Sequence, residues 1–268
     1  MDRLLDSRAP LQDCGSVYAA MARHWLRGND TLLIVLDWSD LNESRSAQMI
    51  RASVALNGRS LTLYEQGHSM KAATKPEVHK AFLARLKMML APGCQPIVMT
   101  DAGFRSPWFR AVEAHGWRGV GWGGTQPKPR SGAQPRPSFC AVARLLGASV
   151  SLAHLSAQAI VAIYAQRMQI EQAFRDTKNA RFGLGLRNSA SRTPARLAES
   201  ALIASLAEFV LRLIGQCAIN HHLQYDLQLT NRQKSLEISV IRVERLLVET
   251  VGWVFQPSLR VRRFRPAR

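Results

Sequence analysis

Two short apolar runs, each leading into an aspartate, constrain the fold more than any other feature of the chain. TLLIVLDWSD carries five apolar residues into Asp37, and QPIVMTDAGF carries three apolar residues and a threonine into Asp101. Short continuous apolar runs bounded by turn residues belong to strands buried on both faces, which places the chain among α/β folds. In open sheets of that class, ligands bind outside the carboxyl ends of the strands. If the two strands are parallel neighbours, Asp37 and Asp101 emerge at one edge. Aspartate also caps turns well, and Asp101 stands two residues before Gly103, so a capping role stays open for each on this evidence alone.

The stretch between the aspartates supports the same class. QMIRASVALNGRSLTLYEQG predicts two strands joined at Asn57-Gly58, the strongest short hairpin signal. A helix opens at Lys75-Pro76-Glu77 with an apolar stripe of Val78, Phe82, Leu83, Leu86, Met89 and Leu90. A second helix is expected near Ser106 to His115, with Pro107 in its first turn.

Further along, Tyr164, Arg167, Glu171 and Lys178 are spaced by three, four and seven residues. On one helix these steps put Arg167, Glu171 and Lys178 about 60°, 20° and 40° to the same side of Tyr164. Ile163, Ile170 and Phe174 flank that arc on one side and Val161 and Met168 on the other, while Ala162, Gln166, Gln169, Ala173, Asp176 and Thr177 form the opposite face. The charges therefore sit within the apolar stripe instead of opposite it. Charges turned toward a core are costly unless paired, metal-bound or meeting a ligand. A buried structural ion pair of Glu171 with Arg167 or Lys178 satisfies the same geometry.

The spacing Y-x2-R-x3-E-x6-K, here Tyr164 to Lys178 in YAQRMQIEQAFRDTK, resembles the signature of bacterial DDE transposases of the insertion-sequence-four family. The match is complete at all four positions. The resemblance implies an RNase H-like catalytic core, an α/β mixed sheet flanked by helices, and strand, hairpin, helix, strand, helix is the element order read above. It implies that Glu171 is the third catalytic carboxylate beside Asp37 and Asp101, and that the protein acts on DNA, at transposon ends and target, as a homodimer in the DNA complex. Three oxygen-donor side chains without nearby Cys or His favour two Mg2+ or Mn2+ ions over zinc or copper. Asp37 would bridge both ions, with Asp101 and Glu171 each completing one site. Arg167 would pair with a phosphate oxygen through its planar fork, Lys178 would hold a second as a point charge, and Tyr164 would bond the backbone or stack on sugar and base.

After Lys178, RFGLGLRNSASRTPARL interleaves Arg181, Arg187, Arg192 and Arg196 with Gly, Ser and Pro, and Arg187 and Arg192 are read as phosphate contacts. The excess of 36 basic over 19 acidic residues, a net charge of +17, suits a polyanionic partner. Cys14, Cys94, Cys140 and Cys217 stand far apart with no C-x-x-C pair, which argues against a zinc site or disulfide framework. Asp2, Arg3, Asp6 and Arg8 interrupt any secretory leader, and Leu197 to Ile219 contains Glu199, Glu208 and Arg212. No membrane span is expected, and the bacterial cytoplasm, at the nucleoid, is the expected location. Asp40 and Glu43 are assigned to a polar turn, His68 to a solvated loop and His221-His222 to a helix end. Trp108, Trp117 and Trp122 are candidates for core packing or for base stacking.

The expected organisation is a short helical segment over 1–30, the first part of the core over 31–120, an irregular insertion over 121–156, the Glu171 helix and further helices over 157–250, and a basic tail over 251–268. Two departures from the family are visible. Only 36 residues precede Asp37, where members carry a DNA-binding domain. Residues 119–156, rich in Gly, Pro and Arg, replace the family's insertion strands, so Gly121 to Gly147 is expected to be irregular, with a short strand at most at Ser149 to Ala153. Two alternatives to an active transposase follow: a catalytically defective relic that binds DNA or a partner transposase, and a metal-dependent nuclease without strand transfer.

Overall fold

The computed structural model describes residues 8–26, 32–42, 44–56, 59–73, 75–122, 139–143, 146–179, 184–186 and 193–220. By contacts the chain divides into two compact units, Met1–Ser205 and Leu206–Arg268.

The first unit is built on one mixed seven-stranded sheet of order β3-β2-β1-β4-β5-β7-β6. Its strands are β1 (Leu33–Asp40), β2 (Ala47–Ala55), β3 (Ser60–Ser69), β4 (Ile97–Thr100), β5 (Arg118–Trp122), β6 (Phe139–Ala143) and β7 (Leu146–Ser149). The helices are α1 (Arg8–Trp25), α2 (Met70–Ala73), α3 (Pro76–Met89), α4 (Ser106–Ala114), α5 (Ala157–Ala165), α6 (Met168–Lys178) and α7 (Pro194–Asn220). This is the α/β, RNase H-like arrangement expected. β1, β4 and β5 are parallel, and the β2–β3 hairpin joins β1 antiparallel. Leu56 N–H donates to the Arg59 carbonyl at 2.9 Å, closing the hairpin around Asn57-Gly58, which themselves lie outside the described residues.

The apolar runs become central strands for the reason their composition implied: Ile34, Val35 and Leu36 are all fully buried, so both faces of β1 are covered. One face carries a core in which Val35, Met99, Val120 and Ala148 meet Ile160 of α5, Ile170 and Phe174 of α6, and Leu197 and Ala201 of α7. On the other face α4 approaches β5 so closely that a side chain at Gly119 or Gly121 would run into the Phe109 ring. α1 lies along the β3 edge, with the Tyr18 ring edge-on to Tyr64 and the Tyr18 hydroxyl donating to Glu65 at 2.6 Å. Covering that edge removes an unpaired strand from solvent.

Four local expectations change. His68, expected in a solvated loop, is a half-buried β3 residue paired with Gln48 and edge-on to the Trp38 ring, because the hairpin runs on past Gly67. β1 does not end at Asp37; it continues to Asp40 because β2 keeps pairing with it as far as Asp40↔Gln48, although parallel pairing with β4 stops at Leu36↔Thr100. Asp40 is thus a strand residue, held by Gln48 at 3.0 Å and Arg45 at 3.4 Å, and not part of the turn. Residues 121–156 are not wholly irregular either. The apolar run Phe139–Ala143 and the small residues of Leu146–Ser149 form β6 and β7, which pair antiparallel and extend the sheet beyond β5. Val150–Leu152 then forms a 3₁₀ turn instead of a strand.

In the second unit, Glu208 and Arg212 pair across one turn of α7 at 3.3 Å with both side chains buried. No helix among the described residues is long and apolar enough to cross a membrane.

Candidate active site

Strand register puts the two aspartates side by side. Leu36 of β1 and Thr100 of β4 are parallel partners, so the next residue on each, Asp37 and Asp101, lies where the parallel pairing ends. Side chains alternate along a strand, and Asp37 and Asp101 each stand two residues beyond core members Val35 and Met99. Both therefore face the side of the sheet covered by α5 and α6. Arg51 is the β2 partner of Asp37, Glu65 is the β3 partner of Arg51, and Trp122 follows Gly121, the β5 partner of Thr100. One row across that face reads Glu65, Arg51, Asp37, Asp101, Trp122.

Glu171 and Arg167 come down on this row from above, but not from one continuous helix. α5 ends at Ala165 and α6 starts at Met168. Across the junction the amide bonds run three residues back, from Arg167 to Tyr164, Gln169 to Gln166 and Ile170 to Arg167. Such a 3₁₀ step turns the chain faster per residue than an α-helix, so the stripe drawn through Tyr164 and Lys178 is bent. Its flanks differ from expectation as well. Val161 and Met168 are about half exposed, whereas Gln169, Ala173 and Thr177, expected on the outer face, are buried. The reason is that α6 packs through Ile170, Ala173, Phe174 and Thr177 and not through Met168. The four signature residues consequently sit at the border between core and solvent, where a ligand can reach them.

Arg167 is the centre of the cluster. Its guanidinium lies 3.5 Å from Asp37 Oδ2, donates to Glu171 Oε1 at 2.7 Å, and stands 5.9 Å from the centroid of the Tyr164 ring. Burial alone would lower its pKa; the Glu171 hydrogen bond and the nearby Tyr164, Glu171 and Asp37 outweigh that and push it up. Asp37 is 9% exposed and its carboxyl is pushed up to about 7, first by burial and then by the charge of Asp101, with Arg167 and the Trp38 amide pulling the other way and Glu171 adding to the rise. Asp101 Oδ1 accepts the Gly103 amide at 2.9 Å, the turn role that its sequence context allowed. The ion pair of Glu171 with Arg167, the structural alternative raised above, is present, and it reaches Asp37 as well.

Lys178 donates to Ser39 Oγ and lies 5.4 Å from the centre of the Phe174 ring, which anchors the end of α6 over β1. Arg187 and Arg192 lie outside the described residues, as do Arg181, Glu43, His221, His222 and the basic tail. Among the described residues, no three or more His, Cys, Asp or Glu side chains form a group that could hold a metal ion. In this conformation the Arg167 guanidinium stands among the carboxylates instead.

The family model described as a transposase DDE domain matches residues 29–207. The chain belongs to the DDE transposase family. No curated protein and no solved structure matches it. The matched span of this transposase domain begins just before β1 and ends within α7, so it contains Asp37, Asp101 and Glu171 with the whole sheet.

One feature of the site was missed from sequence. Arg51 and Glu65 form a fully buried pair at 2.7 Å. Arg51 also donates to Thr177 of α6 at 3.2 Å and stacks 4.7 Å over Phe174, and Ser205 donates to Glu65 at 2.8 Å. This network fixes α6 across β2 and β3. Its only sequence signal is one charge in each of two otherwise apolar or neutral strand segments. Of the three tryptophans weighed for core packing or base stacking, Trp108 and Trp117 are core residues, whereas Trp122 is 41% exposed, in the carboxylate row.

Proposed function

We propose that this DDE transposase domain is of the insertion-sequence-four type and carries out metal-dependent phosphodiester hydrolysis and strand transfer on DNA. The carrying observation is the register that sets Asp37 beside Asp101, with Arg167 linking Asp37 to Glu171. An all-oxygen donor set fits Mg2+ or Mn2+. The protein's own cation lying against Asp37 and Glu171 supports a demand for a counter-cation here; the pKa of Asp37 is raised first by burial, and then by the charge of Asp101 beside it. Asp37, Asp101 and Glu171 would hold two ions. When bound, such ions supply Lewis-acid activation of the attacking oxygen and charge stabilisation at the leaving oxygen.

The remaining work belongs to side chains. Arg167 offers two parallel N–H donors to a phosphate, and Lys178, held by Ser39, offers a point charge one strand residue away from Trp38. Tyr164, half-buried beside Arg167, orients the guanidinium or meets the sugar. Arg187 and Arg192 extend the phosphate contacts, and the active form on DNA is a homodimer in the bacterial cytoplasm.

A second reading, a chain that binds DNA or a partner transposase without cutting, draws on Arg167 standing among the carboxylates. Incubating the purified chain with supercoiled DNA and transposon-end duplexes in Mn2+ separates the readings. Cleavage with joining, lost in Asp37→Asn, Asp101→Asn and Glu171→Gln, is the expected result. Cleavage without joining leaves a nuclease, and DNA binding without cleavage leaves the relic.

A further inference from the structure

The guanidinium of Arg167 takes up the very oxygens a divalent ion would need. It reaches Asp37 Oδ2 at 3.5 Å and Glu171 Oε1 at 2.7 Å, on a side chain only 16% exposed. A guanidinium and a divalent cation between the same two carboxylates repel each other and compete for the same lone pairs. One must leave as the other enters. Arg167 sits in the two-residue junction between α5 and α6, where the hydrogen bonding has changed to the three-back pattern, and its long side chain can change partners by rotating its own bonds without disturbing either helix. Met168, which the guanidinium touches at 3.8 Å, is about half exposed, so the way out leads to solvent and not into the core.

Resting on the metal-dependent reading above, we propose that Arg167 is an internal plug that couples the two ligands of the site: it neutralises Asp37 and Glu171 when no divalent ion is bound, and gives them up when its fork is drawn onto a DNA phosphate. The coupling is reciprocal by linkage. DNA that captures Arg167 opens the carboxylates to the ion, and the ion that expels Arg167 frees it for the phosphate. The chain is thereby kept from assembling a loaded cation site away from DNA. Arg167 is then more than a phosphate contact, since removing it has opposite effects on the two ligands.

Mn2+ titration of the full chain without DNA, followed by calorimetry, tests this directly. Arg167→Gln should bind Mn2+ about tenfold more tightly than the wild type, a factor within the usual range of coupling between sites. Lys178→Gln removes a charge from the same helix without unblocking Asp37 or Glu171, and should change Mn2+ affinity by less than about twofold. Arg167→Lys, whose single ammonium cannot span both carboxylates as a fork, should fall between wild type and Arg167→Gln, and serves if the glutamine variant fails to fold. A short duplex should tighten Mn2+ binding about tenfold in the wild type and clearly less in Arg167→Gln. Equal or weaker Mn2+ binding by Arg167→Gln would overturn the plug, as would an equal gain in Lys178→Gln or an undiminished effect of DNA in Arg167→Gln. In each of those cases the wild type still binds Mn2+ and the metal-dependent reading stands. A wild type that binds no Mn2+ with or without DNA removes both.

Discussion

Replacing Asp37 with Asn should make the metal-free protein more stable above neutral pH, not less. Asp37 is nearly buried between Asp101 and Glu171, and its carboxyl is raised from 3.8 to about 7, burial being the larger cause and Asp101 the next. A group bound to its proton more tightly in the folded state stabilises the fold fully below its unfolded pKa and loses that contribution as pH rises through its folded pKa. The window therefore runs from about pH 4 to about pH 7. About three pH units at about 1.4 kcal/mol per unit set a ceiling of about 4 kcal/mol, and relaxation of the site and the partial compensation by Arg167 bring the expected loss to about 2–3 kcal/mol. Asparagine keeps the oxygen that accepts the Trp38 amide at 2.8 Å and carries no charge. Urea unfolding of wild type and Asp37→Asn in EDTA, at half-unit steps from pH 4 to 8.5, isolates this residue, because every other titrating group is common to both. The expected curve is near-zero difference at pH 4 and a plateau in favour of the variant above pH 7.5. A difference flat with pH, or one that favours the wild type increasingly as pH rises, would show that the Arg167 pair outweighs burial and Asp101, and would refute the reasoning.

Saturating Mn2+ should largely cancel that difference: at a hundredfold excess over its dissociation constant, it should stabilise the wild type by about 2.7 kcal/mol and leave Asp37→Asn almost unaffected in thermal unfolding. Arg51→Met strands the buried Glu65 carboxylate and should cost about 3–5 kcal/mol in urea unfolding, whereas the double variant with Glu65→Leu should recover at least half of that loss. Trp122→Ala should leave the unfolding midpoint near that of the wild type, because the indole is 41% exposed, and weaken single-stranded DNA binding by about 1–3 kcal/mol in an anisotropy titration. An unchanged affinity would leave Trp122 as surface alone. Lys178→Gln should lower the salt slope of DNA binding by about one; an unaltered slope would confine Lys178 to its Ser39 and Phe174 contacts.

The sheet was legible because its central strands are buried on both faces, and burial on both faces forces unbroken apolar runs such as those before Asp37 and Asp101. Helix α3 was legible for the matching reason, since Phe82, Leu83, Leu86 and Met89 recur at helical spacing and are the residues it buries. What escaped depends on geometry that no local pattern encodes. Counting outward from Asn57-Gly58 pairs Arg51 with Tyr64, on which reading the charge has no partner. One extra residue in β3, where the register shifts opposite Ala52 and Ser53, moves the partner to Glu65 and turns the acid onto the face of Arg51. A bulge of this kind is set by twist and packing, not by a sequence signal strong enough to read. β6 and β7 escaped because Gly147 and Ala148 carry little strand preference of their own and pair only once β5 offers them an edge.

At the candidate site the charged residues come together although the chain that carries them is not one straight helix. Tyr164, Arg167, Glu171 and Lys178 were placed on one arc by assuming 100° per residue throughout. The junction at Gln166 and Arg167 breaks that regularity, and the cluster survives because the side chains are long. Arg167 reaches back to Asp37 and forward to Glu171 from the break itself. A straight α-helix through this point would carry the Arg167 side chain at a different angle to the two carboxylates. The break sets that angle, and the buried Arg51 contacts to Thr177 and Phe174 hold α6 against β2. On the proposal above, the position of this one side chain decides whether the carboxylates face a guanidinium or a metal ion.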